Sequence, residues 1–363
     1  MKLEGRIVTA GGLVSGSLEI DGDRIVSTRE EAAPNRTLLL PGFVDLHVHG
    51  GGGADVMDGP EGVAAVAAFH LRYGTTSLCP TTVTLPLAEL TAAVKSVSAM
   101  PDDSSRARSL GVHLEGPFLA SSKLGAQPPH ELAPDLAALE GLLDTGAVAI
   151  VTLAPELPGA LDLVRALAAR GVRVSLGHSA CDYATARAAF DAGATGVTHL
   201  FNAMSGLHHR APGLAAAALD DERPTLELIL DGHHVHLALF RLAWRLAPER
   251  LLLVSDAIRA AGLPDGESEL GGQTVRVASG RVSLPDGTLA GSVLTLDRAL
   301  AHAIDAGLEP WQASALLSRQ PAAALGRKDI GHLEPGAFAD VLEVDADDLS
   351  LRRVFRSGAE VPR

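Results

Sequence analysis

Eight short apolar runs, most of them followed by a stretch with helical spacing, occupy most of this 363-residue chain. They fall at 42–48, 75–83, 110–115, 148–153, 172–177, 196–200, 226–230 and 251–255. Most gaps hold Ala/Leu-rich segments such as 61–70 and 161–167, whose apolar residues recur with the helical period. Such alternation predicts a parallel sheet covered by helices. An open, doubly wound sheet and a closed (β/α)8 barrel both satisfy it. What ends the runs favours closure: His47 and His49 at the first, Glu115 at the third, His178 and His199 at the fifth and sixth, and Asp256 at the eighth. A barrel gathers all eight carboxyl ends on one face, where such folds keep their chemistry.

Residues 1–40 read as short strands broken by Gly11-Gly12 and by Asp21-Gly22-Asp23, without a helical period. The segment 335–363 has the same character. The expected organisation is a small β-sandwich domain built from both chain ends (1–40 and 335–363) and a metal-dependent (β/α)8 TIM-like barrel over 41–334. Glycines and short β-like pieces interrupt the pattern at 257–292, which reads as an insertion after the eighth strand, placed to overhang the barrel mouth.

The chain carries 44 acidic against 30 basic residues, a net charge of −14, and its Lys and Arg are dispersed. A nucleic-acid partner is disfavoured, because neutralising phosphates along a duplex needs a concentrated basic surface. An anionic small substrate would need a local cationic pocket set against the overall field. No uninterrupted apolar stretch suits a membrane span. The start lacks an apolar signal core, and two cysteines, Cys79 and Cys181, make no disulfide framework, so a cytoplasmic location is expected.

His47 and His49 stand two apart on a strand, so both side chains project to one face and could grip one ion. Alone, the pair fits a polar barrel mouth equally well. Glu115 closes a strand and meets a Gly-Pro turn, where a buried carboxylate needs a compensating cation or donors. One carboxylate with His178 and His199 makes a donor set suited to Zn²⁺, with Fe²⁺, Mn²⁺ and Co²⁺ also compatible. Whether one or two ions bind per subunit stays open. Asp256, beside such a site, is placed to take a proton from water and return it to a leaving group.

Six ordered motifs carry a family resemblance: His-Leu-Glu-Gly-Pro-Phe at 113–118, Gly-His-Ser at 177–179, His-Leu-Phe-Asn-Ala-Met at 199–204, Asp-Gly-His-His-Val at 231–235, Val-Ser-Asp-Ala at 254–257 and Leu-Ala-Gly-Ser at 289–292. Together they resemble the N-acetylglucosamine-6-phosphate deacetylases of the amidohydrolase superfamily, from Pro41 through Gly336. The resemblance implies a hydrolase of amino-sugar metabolism that removes acetate from N-acetylglucosamine 6-phosphate. Glu115, His178 and His199 would hold the principal metal, His47 and His49 a second ion present in some members, and Asp256 would be the acid/base. It also implies sugar or phosphate contacts at Ala126, Gln127, Asn202 and Ala203, and at Asp231, Gly232, His233, His234, Leu289, Ala290 and Gly291. Arg210 matches an arginine that grips the substrate phosphate across a homodimer interface.

One position departs from the family pattern. After Lys123-Leu124-Gly125-Ala126 this chain has Gln127 where members usually carry a histidine, which puts the exact sugar in question. The rival readings are a deacetylase of a related sugar phosphate, such as N-acetylgalactosamine 6-phosphate, and a catalytically silent metal-binding scaffold. Retention of all six site residues speaks against the second.

Overall fold

A computed structural model describes residues 1–362. Eight parallel strands form the barrel and are numbered in chain order: β1 Phe43–Val48, β2 Thr75–Thr82, β3 Val112–Glu115, β4 Val148–Leu153, β5 Arg173–Leu176, β6 Gly196–Val197, β7 Thr225–Leu228 and β8 Leu251–Leu253. Each pairs in parallel with the next. The ring closes just beyond β8, where Asp256 N–H donates to His47 O and His49 N–H to Ala257 O, both at 2.9 Å. A helix follows every strand, from Pro60–Leu71 after β1 to Leu296–Asp305 after β8, so the strands are buried on both faces and read as nearly continuous apolar runs.

Several of the expected strands end early, two of them at the site. The sixth run stops at Val197 and the eighth at Leu253, before the residues that carry chemistry. Beyond them the backbone turns: His199 and Asp256 have φ of 31° and 48°, and His178 after β5 has 47°. Few non-glycine residues adopt such values, each costs on the order of 1–3 kcal/mol, and they cluster where function requires a side chain re-aimed.

Both ends of the chain pair into one seven-stranded sheet. Thr37–Pro41 joins its halves, running parallel to Lys2–Thr9 and antiparallel to Val341–Asp345. Alternate residues point inward, so Leu3, Ile7, Leu18, Ile25, Val341 and Phe355 form a core separate from that of the barrel. Arg108, preceding β3, fastens the two units: its guanidinium donates to Asp340 at 2.8 Å and lies 4.0 Å from the centre of the Phe338 ring.

The 257–292 segment contains a three-stranded antiparallel sheet, Gly266–Leu270, Gln273–Ala278 and Arg281–Ser283. Its apolar face packs on Val83 and Ala126, and Gln273 Nε2 donates to Ala126 O at 2.7 Å. The insertion therefore lies over the mouth of the barrel. Among the described residues, no helix is long and apolar enough to cross a membrane.

Candidate active site

The strand ends bring the widely spaced ligand candidates together. Glu115 Oε1 lies 3.0 Å from both His178 Nε2 and His199 Nε2, and those two nitrogens are 3.0 Å apart. On the other side of the carboxylate, Glu115 Oε2 is 3.3 Å from His49 Nε2, and His49 Nε2 is 3.2 Å from His47 Nε2. Asp256 Oδ1 completes the group at 3.3 Å from His49 Nε2 and 3.6 Å from His47 Nε2. All six residues are buried.

The chemistry of these donors fits a cation. His178 Nδ1 donates to Lys123 O at 2.8 Å and His49 Nδ1 to Thr81 O at 3.2 Å, because a carbonyl can only accept. His47 Nδ1 meets the Glu227 carboxylate at 3.2 Å. Each such bond sets the tautomer, leaving an Nε2 lone pair aimed at a neighbouring lone pair or carboxylate. Mutually facing lone pairs repel unless a positive charge stands between them. Without a metal, protons must supply it. Burial opposes a charged His49 ring, yet hydrogen bonding to Asp256 and Glu115 lifts its pKa to about 9. His47 is raised well above its ordinary value, the Glu115 and Asp256 charges outweighing burial. Burial likewise works against the Glu115 and Asp256 anions; the facing imidazoles prevail, holding Glu115 well below the usual carboxylate range and Asp256 at about 2.

The cluster opens into a cavity of about 330 Å³, within the size range of small-molecule sites. Ala126, Gln127, Asn202, Ala203, His234, Leu289 and Gly291 line it. Asp231 stands behind His234, its carboxylate accepting from His234 Nδ1 at 2.7 Å and from the His233 and His234 amides at 2.8 Å. Burial pushes the Asp231 pKa up, but the His234 bond overrides it and the net shift is downward. The other expected contacts lie elsewhere. Gly232 occupies the turn with φ 82°, His233 is exposed near Gly280 of the insertion, and Ala290 is buried in the insertion's own core. Arg210 is exposed, its Nη1 2.7 Å from His209 Nε2, and it does not line the cavity.

Several functional neighbours escape the sequence reading. Glu227, on β7, holds the His47 tautomer; a lone carboxylate in the apolar run Leu226-Glu227-Leu228 was the available signal. Asp45 Oδ1 accepts from His47 N and Ser255 N, both at 3.2 Å, tying β1 to the segment after β8. Burial lifts the Asp45 pKa to about 6. Lys123 contributes both a carbonyl to His178 and a side chain to the cavity wall.

A closed (β/α)8 barrel with a carboxylate, four imidazoles and an aspartate converging at its mouth defines a metal-dependent hydrolase of the amidohydrolase class. Residues 38–361 match the model of the Amidohydrolase family. The N-acetylgalactosamine-6-phosphate deacetylase of Escherichia coli O157:H7 is 43% identical over 328 residues, covering 88% of this chain and 87% of that protein. The N-acetylglucosamine-6-phosphate deacetylase of Vibrio furnissii is 39% identical over 366 residues, covering 97% and 89%. Among solved structures, a mutant N-acetyl-D-glucosamine-6-phosphate deacetylase from Mycobacterium smegmatis, in complex with N-acetyl-D-glucosamine-6-phosphate, superimposes with a TM-score of 0.92 at 35% identity, covering 100% and 99% of the two chains. The chain belongs to the amidohydrolase family, as its motifs led us to expect.

Proposed function

We propose that this enzyme hydrolyses the acetamide of N-acetylglucosamine 6-phosphate, giving acetate and glucosamine 6-phosphate. The observation that carries the reading is the Glu115, His178 and His199 triad at the mouth, with Asp256 beside it. Glu115, His178 and His199 would hold a divalent ion, with Zn²⁺ the best match to nitrogen and carboxylate donors, and His47 with His49 would hold a second. A bound ion supplies Lewis acidity toward the acetamide carbonyl and the attacking water. Asp256, kept anionic by its imidazole neighbours, accepts the water proton and passes it to the departing amine. His234, oriented through Nδ1 by Asp231, turns its other nitrogen toward the sugar or the acetyl carbonyl. The insertion, through Leu270, Thr288 and Leu289, closes over the ring and limits water access.

Residues 41–334 serve in this reading as the catalytic barrel, and 1–40 with 335–363 as its supporting β unit. A homodimer is part of it. Leu207, Leu242 and Leu246 are exposed around a surface groove between the 199–213 loop and the helix Leu237–Leu246, an apolar patch that a second copy would cover while bringing its own Arg210 to the cavity. Two unpaired, buried cysteines suit the cytoplasm.

A second reading, N-acetylgalactosamine 6-phosphate as substrate, is favoured by the 43% identity to an enzyme so named. The two sugars differ only in configuration at C4. Acetate release from both, each with and without its 6-phosphate, by protein of measured metal content decides between them. Preference for the glucosamine derivative supports the first reading; preference for the galactosamine derivative replaces it, and no acetate from any of the four ends both.

A further inference from the structure

Glu115 is the one residue shared by both ligand groups, one oxygen facing His178 and His199 and the other facing His49. Both ligand pairs therefore depend on the angle of a single carboxylate, on a side chain with three rotatable bonds. Something must hold that plane.

The structure supplies a closed ring of hydrogen bonds for the purpose. Thr84, just beyond β2, donates its backbone N–H to Gln127 Oε1 at 2.7 Å. The other end of the same amide, Gln127 Nε2, donates to Glu115 Oε2. Thr84 Oγ1 then donates to the backbone oxygen of Glu115 at 3.0 Å. The amide orientation follows from the partners: a backbone N–H can only donate, so the oxygen faces Thr84 and the nitrogen must face the carboxylate. The ring closes tightly. Gly116, with φ 88°, passes so near Thr84 that a Cβ there would sit 2.2 Å from Thr84 Oγ1. Gln127 is buried, 8% exposed against 2% for the Glu115 carboxylate it meets. As a neutral donor it binds the anion without adding a charge that would compete with a cation.

We propose that Gln127 is a positioning residue for the metal centre: through Thr84 it fixes the Glu115 carboxylate so that Oε1 addresses His178, His199 and His47 while Oε2 addresses His49. The inference rests on the metal reading above and reassigns the position that the family resemblance gave to substrate contact.

The test compares Zn²⁺-loaded wild-type protein with Gln127→Met, which keeps the volume but loses both bonds, and with Gln127→Asn, too short to span Thr84 and Glu115. Zn²⁺ affinity is read by competition with a chromogenic chelator, without substrate. Removing an outer partner of a metal ligand costs on the order of 10- to 100-fold in affinity, and that loss is expected in both variants. The chelator-stripped variants should melt only modestly below stripped wild type, by the lost acceptor of the buried Thr84 N–H, and KM at saturating metal should stay within about twofold. Unchanged Zn²⁺ affinity overturns the proposal, and a raised KM with unchanged affinity returns Gln127 to substrate contact. Because the affinity is measured without a sugar, failure of the substrate assignment would leave this result standing.

Discussion

Two of the places where this molecule buries carboxylates balance them differently. At the junction of barrel and sheet, Asp340 accepts from the Arg108 guanidinium and from Ser357 N–H, both at 2.8 Å, while Arg108 also reaches Ser77 and Ser357 hydroxyls at 3.1 Å. The carboxylate there has a covalently attached, permanently ionised partner. At the mouth, Glu115 and Asp256 face imidazole lone pairs, and the balancing charge is left to a proton or an ion that can leave. The first arrangement serves stability. The second gives up part of it, adding left-handed backbone at His178, His199 and Asp256, to keep a charged site open.

The comparison is broken most severely at the mouth. Replacing Asp256 by Asn removes the proton acceptor while leaving Glu115, His178 and His199 in place. Turnover should fall by about 10²- to 10⁴-fold with metal content at the principal site retained. Steady-state acetate release and elemental analysis of the same sample check this, and near-normal turnover would remove Asp256 from the mechanism.

At the junction the opposite signature is expected. Arg108→Met strands the Asp340 carboxylate in a buried place, at a cost of about 3–5 kcal/mol of stability. The folded fraction should turn over normally. Urea unfolding monitored by circular dichroism reads the first quantity, and the double variant with Asp340→Leu should recover much of the loss. A single variant as stable as wild type would show the junction to be ornamental.

The difference between the regions also explains what the sequence could reveal. Barrel strands were legible because both faces are buried and the runs are apolar, and the ligand candidates that converge at the mouth were legible because His, Glu and Asp interrupt those runs at their ends. The seven-stranded sheet was legible as turn-broken runs without helical period at both termini, but its joining strand Thr37–Pro41 is short and nearly continuous with β1. What the sequence hid is geometry set by distant partners. Glu227 reads as an ordinary strand residue until His47 is seen against it. Gln127 matches a substrate-contact position in the motif and finds its partners only when Thr84 and Glu115 converge from other strands. The backward turn at His199 left no mark, since Val197-Thr198-His199-Leu200-Phe201 has the composition of a strand.

His70 sharpens the comparison as a third case, a titratable group kept neutral. It lies fully buried, with Nε2 donating to Gly50 O at 2.9 Å, and burial pushes its pKa down from 6.5 to about 4. Because folding depresses the value, the unfolded chain binds the proton more readily. The folded protein therefore has its full stability from this ring above pH 6.5 and loses it as pH falls toward 4, by about 3 kcal/mol in all. Urea midpoints at pH 7.5 and 5.0 should differ more in wild type than in His70→Gln. An identical pH response in the two proteins would assign the acid sensitivity to other groups.

The smallest expected effect concerns the mouth's remaining open valence, the substrate phosphate. Arg210 is exposed and outside the cavity of its own chain, so in the proposed homodimer its contribution would come from a second copy. A charged hydrogen bond to phosphate is worth about 1.5–3 kcal/mol, so Arg210→Ala should raise KM for the 6-phosphate by roughly 10- to 150-fold and leave an unphosphorylated analogue unaffected. Equal losses on both substrates would show that Arg210 does not read phosphate. Mixed dimers carrying Arg210→Ala on one chain and Asp256→Asn on the other separate the routes. If the arginine acts across the interface, the chain with intact Asp256 borrows Arg210 from its partner and one site works at low substrate. If it acts within its own chain, every site in the mixed dimer is defective, and the apolar patch at Leu207 and Leu246 needs another explanation.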